Sequence, residues 1–204
     1  GSEMCIRDSI KRVTRWRNGG VDFVINSEER GFASAYRTTH GPSICAIGLT
    51  VADVDSVLKR ADALGIARHD VGPRGRAAMP ALRGVGGSLV YLVGADGIER
   101  LWAQEFERID DEAPTFATDT ALTGIDHLAS VVMPDEFLSW KLYWRSLFGL
   151  QEPAAQDVID PSGLINSQPI ESSNRTIRLT LNASDARETL PSRFVTHGFG
   201  AGFQ

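Results

Sequence analysis

His127 is the residue best placed to do chemistry. It lies in Gly124-Ile125-Asp126-His127-Leu128-Ala129-Ser130-Val131-Val132, a short apolar stretch with one histidine. Alternation puts Ile125, His127, Ala129 and Val131 on one face of a strand, and Asp126, Leu128 and Ser130 on the other. A neutral imidazole on a rigid strand can ligate a divalent metal. A lone histidine on an apolar strand is more often a satisfied core residue, and the residues alone leave both readings open. Asp126, on the opposite face, is expected in a backbone or cross-strand role rather than as a second ligand. His40 and His197 each precede a glycine and read as turn residues. His69, between Arg68 and Asp70, reads as solvated. Cys5 and Cys45 make neither a disulfide framework nor a zinc spacing. Cys45 sits in an apolar run and reads as a buried thiol in a reducing cytoplasm. Gly84-Val85-Gly86-Gly87 precedes a strand rather than opening a helix, and it lacks the P-loop lysine, so it reads as a tight turn.

The elements that must hold these residues are legible from period and punctuation. Val13–Trp16 and Val21–Ile25 are β-rich runs, and Arg17-Asn18-Gly19-Gly20 between them is a hairpin turn signal. Ile44–Val51 reads as a buried strand. Asp53 then caps a helix whose apolar residues are Val54, Val57, Leu58, Ala61 and Leu64, and Gly65 stops it. Ser88–Val93 is a further strand. Residues 94–123 are polar and acidic and read as an edge segment followed by an interdomain linker. Pro134-Asp135 opens a second helix with Phe137, Trp140, Trp144, Leu147 and Phe148 along one side and Gly149 at its end. That aromatic stripe reads as core packing. Gly163–Pro169 and Thr176–Asn182 look like paired strands, and Arg187–Phe194 like a helix.

Composition narrows the classes. The chain has 204 residues, 42% apolar and 23% charged, with a net charge of -5. That is an ordinary globular balance, and its sign argues against a nucleic-acid partner. No apolar run reaches the roughly 20 residues needed to span a bilayer.

The two halves echo one another. Asp22-Phe23-Val24-Ile25-Asn26-Ser27 and Ile177-Arg178-Leu179-Thr180-Leu181-Asn182-Ala183 each end a strand near an asparagine. Thr39-His40-Gly41 has a counterpart in Thr196-His197-Gly198. Their common order points to a duplicated module. The expected organisation is a non-native or disordered leader over 1–9, a first domain over 10–108 lacking its opening strand and helix, a linker over 109–123, and the start of a second domain over 124–204.

Four stretches together resemble one family. Thr39-His40-Gly41-Pro42-Ser43-Ile44-Cys45-Ala46, Met79 to Tyr91, Gly124-Ile125-Asp126-His127-Leu128 and Ile177-Arg178-Leu179-Thr180-Leu181-Asn182 are similar to 4-hydroxyphenylpyruvate dioxygenase, of the vicinal oxygen chelate superfamily. A narrower likeness joins Asp160-Pro161-Ser162-Gly163-Leu164-Ile165 and Leu138-Ser139-Trp140 to Phe148-Gly149-Leu150. These resemble the dioxygenase-like half of bifunctional proteins with an upstream 3-dehydroshikimate dehydratase barrel.

The resemblance implies an α+β fold of tandem βαβββ modules, here truncated at both ends. It implies Fe(II) or another divalent metal held by two histidines and a glutamate, with His127 as the first ligand. The family's second histidine follows a Gly-x-Gly-apolar-Gln stretch, which Gly200-Ala201-Gly202-Phe203-Gln204 matches. That ligand is therefore expected just past Gln204 and the glutamate later still. The chain alone, with one ligand of three, is expected to be inactive. Ala46 stands at the equivalent position of the first half, which is expected to bind no metal. Ser167 and Asn182 are the family-matched residues for hydrogen-bonding substrate, although Thr180 replaces the usual proline. The implied substrate is a 2-oxo acid or a related aromatic or hydroaromatic acid. The expected setting is cytoplasmic, in a homo-oligomer, with no membrane or nucleic-acid partner. A non-enzymatic ligand-binding member of the superfamily remains an alternative.

Overall fold

The computed structural model describes residues 2–6, 12–69, 79–95, 97–108 and 122–204. A first sheet contains β1 (Ser2–Ile6), β2 (Val13–Asn18), β3 (Val21–Asn26) and β8 (Phe106–Arg108), in the order β3-β2-β1-β8. The β2–β3 hairpin turns at Asn18-Gly19-Gly20 as expected, with Gly19 at φ +57°. Gly20 N donates to Leu122 O at 2.7 Å, which ties the turn to the chain entering the second half. Within the stretch 1–9, expected to be a non-native or disordered leader, Ser2–Ile6 pair antiparallel with both β2 and β8, and residues 1 and 7–9 lie outside the described residues.

Two βαβββ modules follow, as expected for this class. In the first, β4 (Ala46–Val51) leads through α2 (Val54–Ala63) to β5 (Arg68–His69), β6 (Ala81–Arg83) and β7 (Leu89–Gly94). In the second, β9 (Leu128–Val131) leads through α4 (Phe137–Phe148) to β10 (Gln156–Asp160), β11 (Gly163–Glu171) and β12 (Arg178–Ala183). The ladders match. The first strand of each module runs parallel to its last, and the other two strands pair antiparallel beyond it. The repeat extends outward. β3 leads through α1 (Phe32–His40) into β4, and β12 leads through α5 (Leu190–His197) into β13 (Gly202–Phe203), which pairs antiparallel with β9.

Local chemistry explains the helix ends. The Asp53 carboxylate accepts from Ser56 N at 3.2 Å and from Ser56 Oγ at 2.5 Å, capping α2. Gly149 at φ +67° closes α4 in the left-handed conformation. α5 begins at Leu190 rather than at Arg187, because Pro191 suits the first helical turn, where its missing N–H costs nothing. Residues 94–108 are not only an edge segment. They form α3 (Gly97–Glu105) and then β8. Of the expected linker, residues 109–121 lie outside the described residues.

One core joins both modules. Ile47, Leu49, Leu82, Val90 and Leu92 of the first share a cluster with Val132, Phe137, Trp144, Leu179 and Leu181 of the second. Trp144 has no exposed surface, so the aromatic side of α4 is core as expected. Among the described residues no helix is long and apolar enough to cross a membrane.

Candidate functional site

His127 stands one residue before β9. Regular pairing starts only at Leu128↔Leu179, so the strand expected from Gly124 is shorter than its apolar pattern. Gly124 and Asp126 are poor strand formers, which accounts for the late start. His127 is exposed rather than buried in the core, with 52% of its side chain accessible. Its Nδ1 lies 2.7 Å from Asp126 Oδ2. Asp126 Oδ1 in turn accepts from Arg178 Nη1 on β12 at 2.5 Å. The cross-strand role expected of Asp126 is present, and a direct bond to His127 accompanies it. These bonds, from His127 first and then Arg178, hold the Asp126 carboxyl below its usual range.

A carboxylate accepting from Nδ1–H fixes the ring's tautomer and leaves the Nε2 lone pair free to ligate a metal. That is the usual arrangement behind a metal-ligating histidine. The pair therefore fits one ligand of a metal site. Among the described residues no group of three or more His, Cys, Asp and Glu side chains gathers to complete one.

Ser167 and Asn182 are brought together. They are direct cross-strand partners on β11 and β12, and Asn182 also pairs with Val131 on β9. Directly opposed residues share a face, so Val131, Asn182 and Ser167 form one row, with Ala129, Thr180 and Pro169 forming the next. Both Ser167 and Asn182 are half-buried, and no hydrogen bond ties either side chain to another described residue. They do not touch His127. Val131 is four positions beyond His127, about 13 Å along an extended chain. The face thus offers an imidazole at one end and a hydroxyl and an amide at the other.

Sequence reading missed Arg178. It bonds Asp126 and also lies 3.9 Å from Glu171, its β11 partner, which Arg175 engages at 3.3 Å. The signal was the parallel β9–β12 pairing, invisible without knowing which strands meet. Other residues of note fall elsewhere. Cys45 is half-buried, and burial pushes its thiol up. His69 is not simply solvated, since its ring packs 5.3 Å from Phe32. His40 is more than a turn residue, because its Nδ1 reaches Gly198 O at 2.6 Å. A cavity of about 630 Å³ opens beside α5, lined by Met133, Pro134, Ser184, Arg187 and Thr196 among others. It lies past the opposite end of β9 from His127, and none of the three expected site residues lines it.

Comparison with known proteins fits this architecture. The family model for hydroxyphenylpyruvate dioxygenase, HPPD, N-terminal, matches residues 1–106. A 3-dehydroshikimate dehydratase of Pseudomonas aeruginosa is 34% identical over 195 residues, covering 94% of this chain and 30% of that protein. A 4-hydroxyphenylpyruvate dioxygenase of Legionella pneumophila (strain Corby) is 27% identical over 192 residues, covering 94% and 54% respectively. A solved xylose isomerase-like TIM barrel/4-hydroxyphenylpyruvate dioxygenase fusion protein superposes with a TM-score of 0.74 at 31% identity, covering 100% of this chain and 31% of that one. The chain thus spans about half the length of the dioxygenase and less than a third of the dehydratase. With its paired βαβββ modules and a family match over more than half its length, the chain belongs to the hydroxyphenylpyruvate dioxygenase family of the vicinal oxygen chelate superfamily.

Proposed function

We propose that this chain contributes the first metal ligand and part of the substrate face of a 4-hydroxyphenylpyruvate dioxygenase-like, non-haem iron-dependent oxygenase acting on an aromatic 2-oxo acid. The observation that carries this is the Asp126–His127 pair beside β9, with Asn182 one strand away and Ser167 two, neither side chain hydrogen-bonded to another described residue. Iron held by His127 and further ligands would bind the 2-oxo acid group of the substrate as a Lewis acid and activate O2. The chain's own residues do the rest. His127 presents Nε2 while Asp126 holds Nδ1–H, and Arg178 offsets the carboxylate charge. Ser167 Oγ and Asn182 Nδ2 donate to polar groups at the end of the substrate remote from His127.

A second reading has a specific observation in its favour. The dehydratase and the fusion protein are 34% and 31% identical, against 27% for the dioxygenase. On that reading the same fold is attached to a 3-dehydroshikimate dehydratase barrel. Both readings place a small acid on the sheet face. The test uses the full-length protein that contains this chain. Co(II) binding should fall in His127→Ala, and equal metal content in the two proteins defeats the assignment. O2 uptake on 4-hydroxyphenylpyruvate supports the first reading. Turnover of 3-dehydroshikimate without O2 uptake supports the second. In solution the protein is expected to be a homo-oligomer, which light scattering checks.

A further inference from the structure

The segment 198–204 closes the second sheet; besides its bonds to α5 and β9 in its own half, it is touched at two points by the first half of the chain. His40, the last residue of α1, places Nδ1 2.6 Å from Gly198 O. A carbonyl can only accept, so Nδ1 carries the proton. The ring is steadied against Tyr36, one turn earlier, at 4.3 Å between centroids. Tyr36 is buried, and its hydroxyl lies 3.6 Å from where a Cβ on Gly202 would stand. The second grip is Gly86, in the turn between β6 and β7. A Cβ there would run into the Ala201 carbonyl oxygen and stand 3.2 Å from Gly202 N.

Between the two grips the chain leaves α5 through a left-handed C-terminal turn: Phe199 sits at φ +53°, with Gly198 N donating to Phe194 O at 2.8 Å and Gly200 N to Val195 O at 2.9 Å. Past the second grip, Gly202 and Phe203 pair with Val131 and Ser130, and Gln204 N donates to Ala129 O at 2.9 Å. Ala129 is two residues from His127.

We propose that His40 and Gly86 are positioning residues, a clamp by which the first half of the chain holds 198–204 in register on β9 and so fixes the strand that flanks His127. Its bearing on metal binding rests on the function proposed above; the clamp itself does not.

Amide exchange at Gln204 reads the clamp directly, with Val132 N–H, which donates to Asn182 O, as the reference. Gly86→Ala is compared with Gly87→Ala. Both positions have positive φ, +62° and +76°, so both substitutions strain the turn, but a Cβ on Gly87 meets nothing within 4 Å. Gln204 should exchange about tenfold faster or more in Gly86→Ala, with Gly87→Ala near wild type and Val132 unchanged in both. His40→Asn keeps a donor at the δ position and loses the ring; His40→Phe keeps the ring beside Tyr36 and loses the donor. Exchange should rise only in His40→Phe. This pair carries the test alone if Gly86→Ala does not fold. Co(II) affinity of the full-length protein should fall about tenfold in His40→Phe and recover in His40→Asn. Equal Gln204 exchange within the histidine pair, or within the glycine pair, overturns the clamp. If the exchange pattern appears while His127→Ala leaves Co(II) affinity unchanged, the clamp stands and the metal assignment fails.

Discussion

Asp126 decides which nitrogen of His127 faces outward. Replacing it with asparagine keeps the size and loses the charge that holds Nδ1–H. Asp126→Asn is expected to weaken Co(II) binding by about 10–100-fold while the fold survives, as titration calorimetry on the full-length protein would show. The pH dependence follows from the direction of the shift. The Asp126 carboxyl is held low by His127 first and Arg178 second. A depressed carboxylate contributes stability above its ordinary pKa and loses it as pH falls through the folded value. Denaturant midpoints of wild type and Asp126→Asn should therefore differ at neutral pH and converge in acid. Ser167 and Asn182 are a different case, because neither side chain supports the fold through a hydrogen bond. Ser167→Ala and Asn182→Ala should change stability by no more than about 0.5 kcal/mol and raise KM for the substrate. A large loss of stability in either would show a structural role instead.

At the scale of elements, α4 packs Phe137, Trp144 and Leu147 into the core shared with the second sheet. Trp144 is fully buried at its centre, and among the described residues its Nε1–H has no acceptor. Trp144→Ala should cost about 3–5 kcal/mol in chemical denaturation. Trp144→Phe should cost much less, since it removes packing but breaks no bond. These elements were legible where local signals agreed. Asp53 and Gly65 bracket α2, Asn18-Gly19-Gly20 marks a hairpin, and Gly149 ends α4. They were not legible where tertiary pairing decides. In α3, Ile98, Leu101 and Trp102 are too few among polar neighbours to set a helical period by themselves. His127 looked like mid-strand because apolar alternation cannot show where a partner strand begins. Arg178 was passed over because its importance lies in a parallel neighbour 52 residues away in sequence. The Ser167–Asn182 pairing came from the family likeness, and the register gives it a physical basis.

Across the whole molecule, the shared core makes the two modules one cooperative unit, while the first sheet leaves a side uncovered. Among the described residues β3 is an edge strand, and Phe23 and Ile25 are 56% and 52% exposed beside Trp16 at 41%. An apolar edge with unpaired backbone groups invites association. Phe23→Lys combined with Ile25→Lys should lower self-association of this chain in sedimentation without lowering its thermal midpoint. An unchanged sedimentation profile would place the contact elsewhere.

The His40–Gly198 bond joins residues 158 positions apart. Closing so long a loop costs entropy before any contact repays it, so the β10–β11 and β11–β12 hairpins should form well before it. Interactions absent from the folding transition state act on unfolding alone. His40→Phe should therefore steepen escape from the native state and leave the refolding limb of the chevron where it was. A turn histidine at the end of a short helix would then set how long the assembled molecule lasts, rather than how readily it assembles.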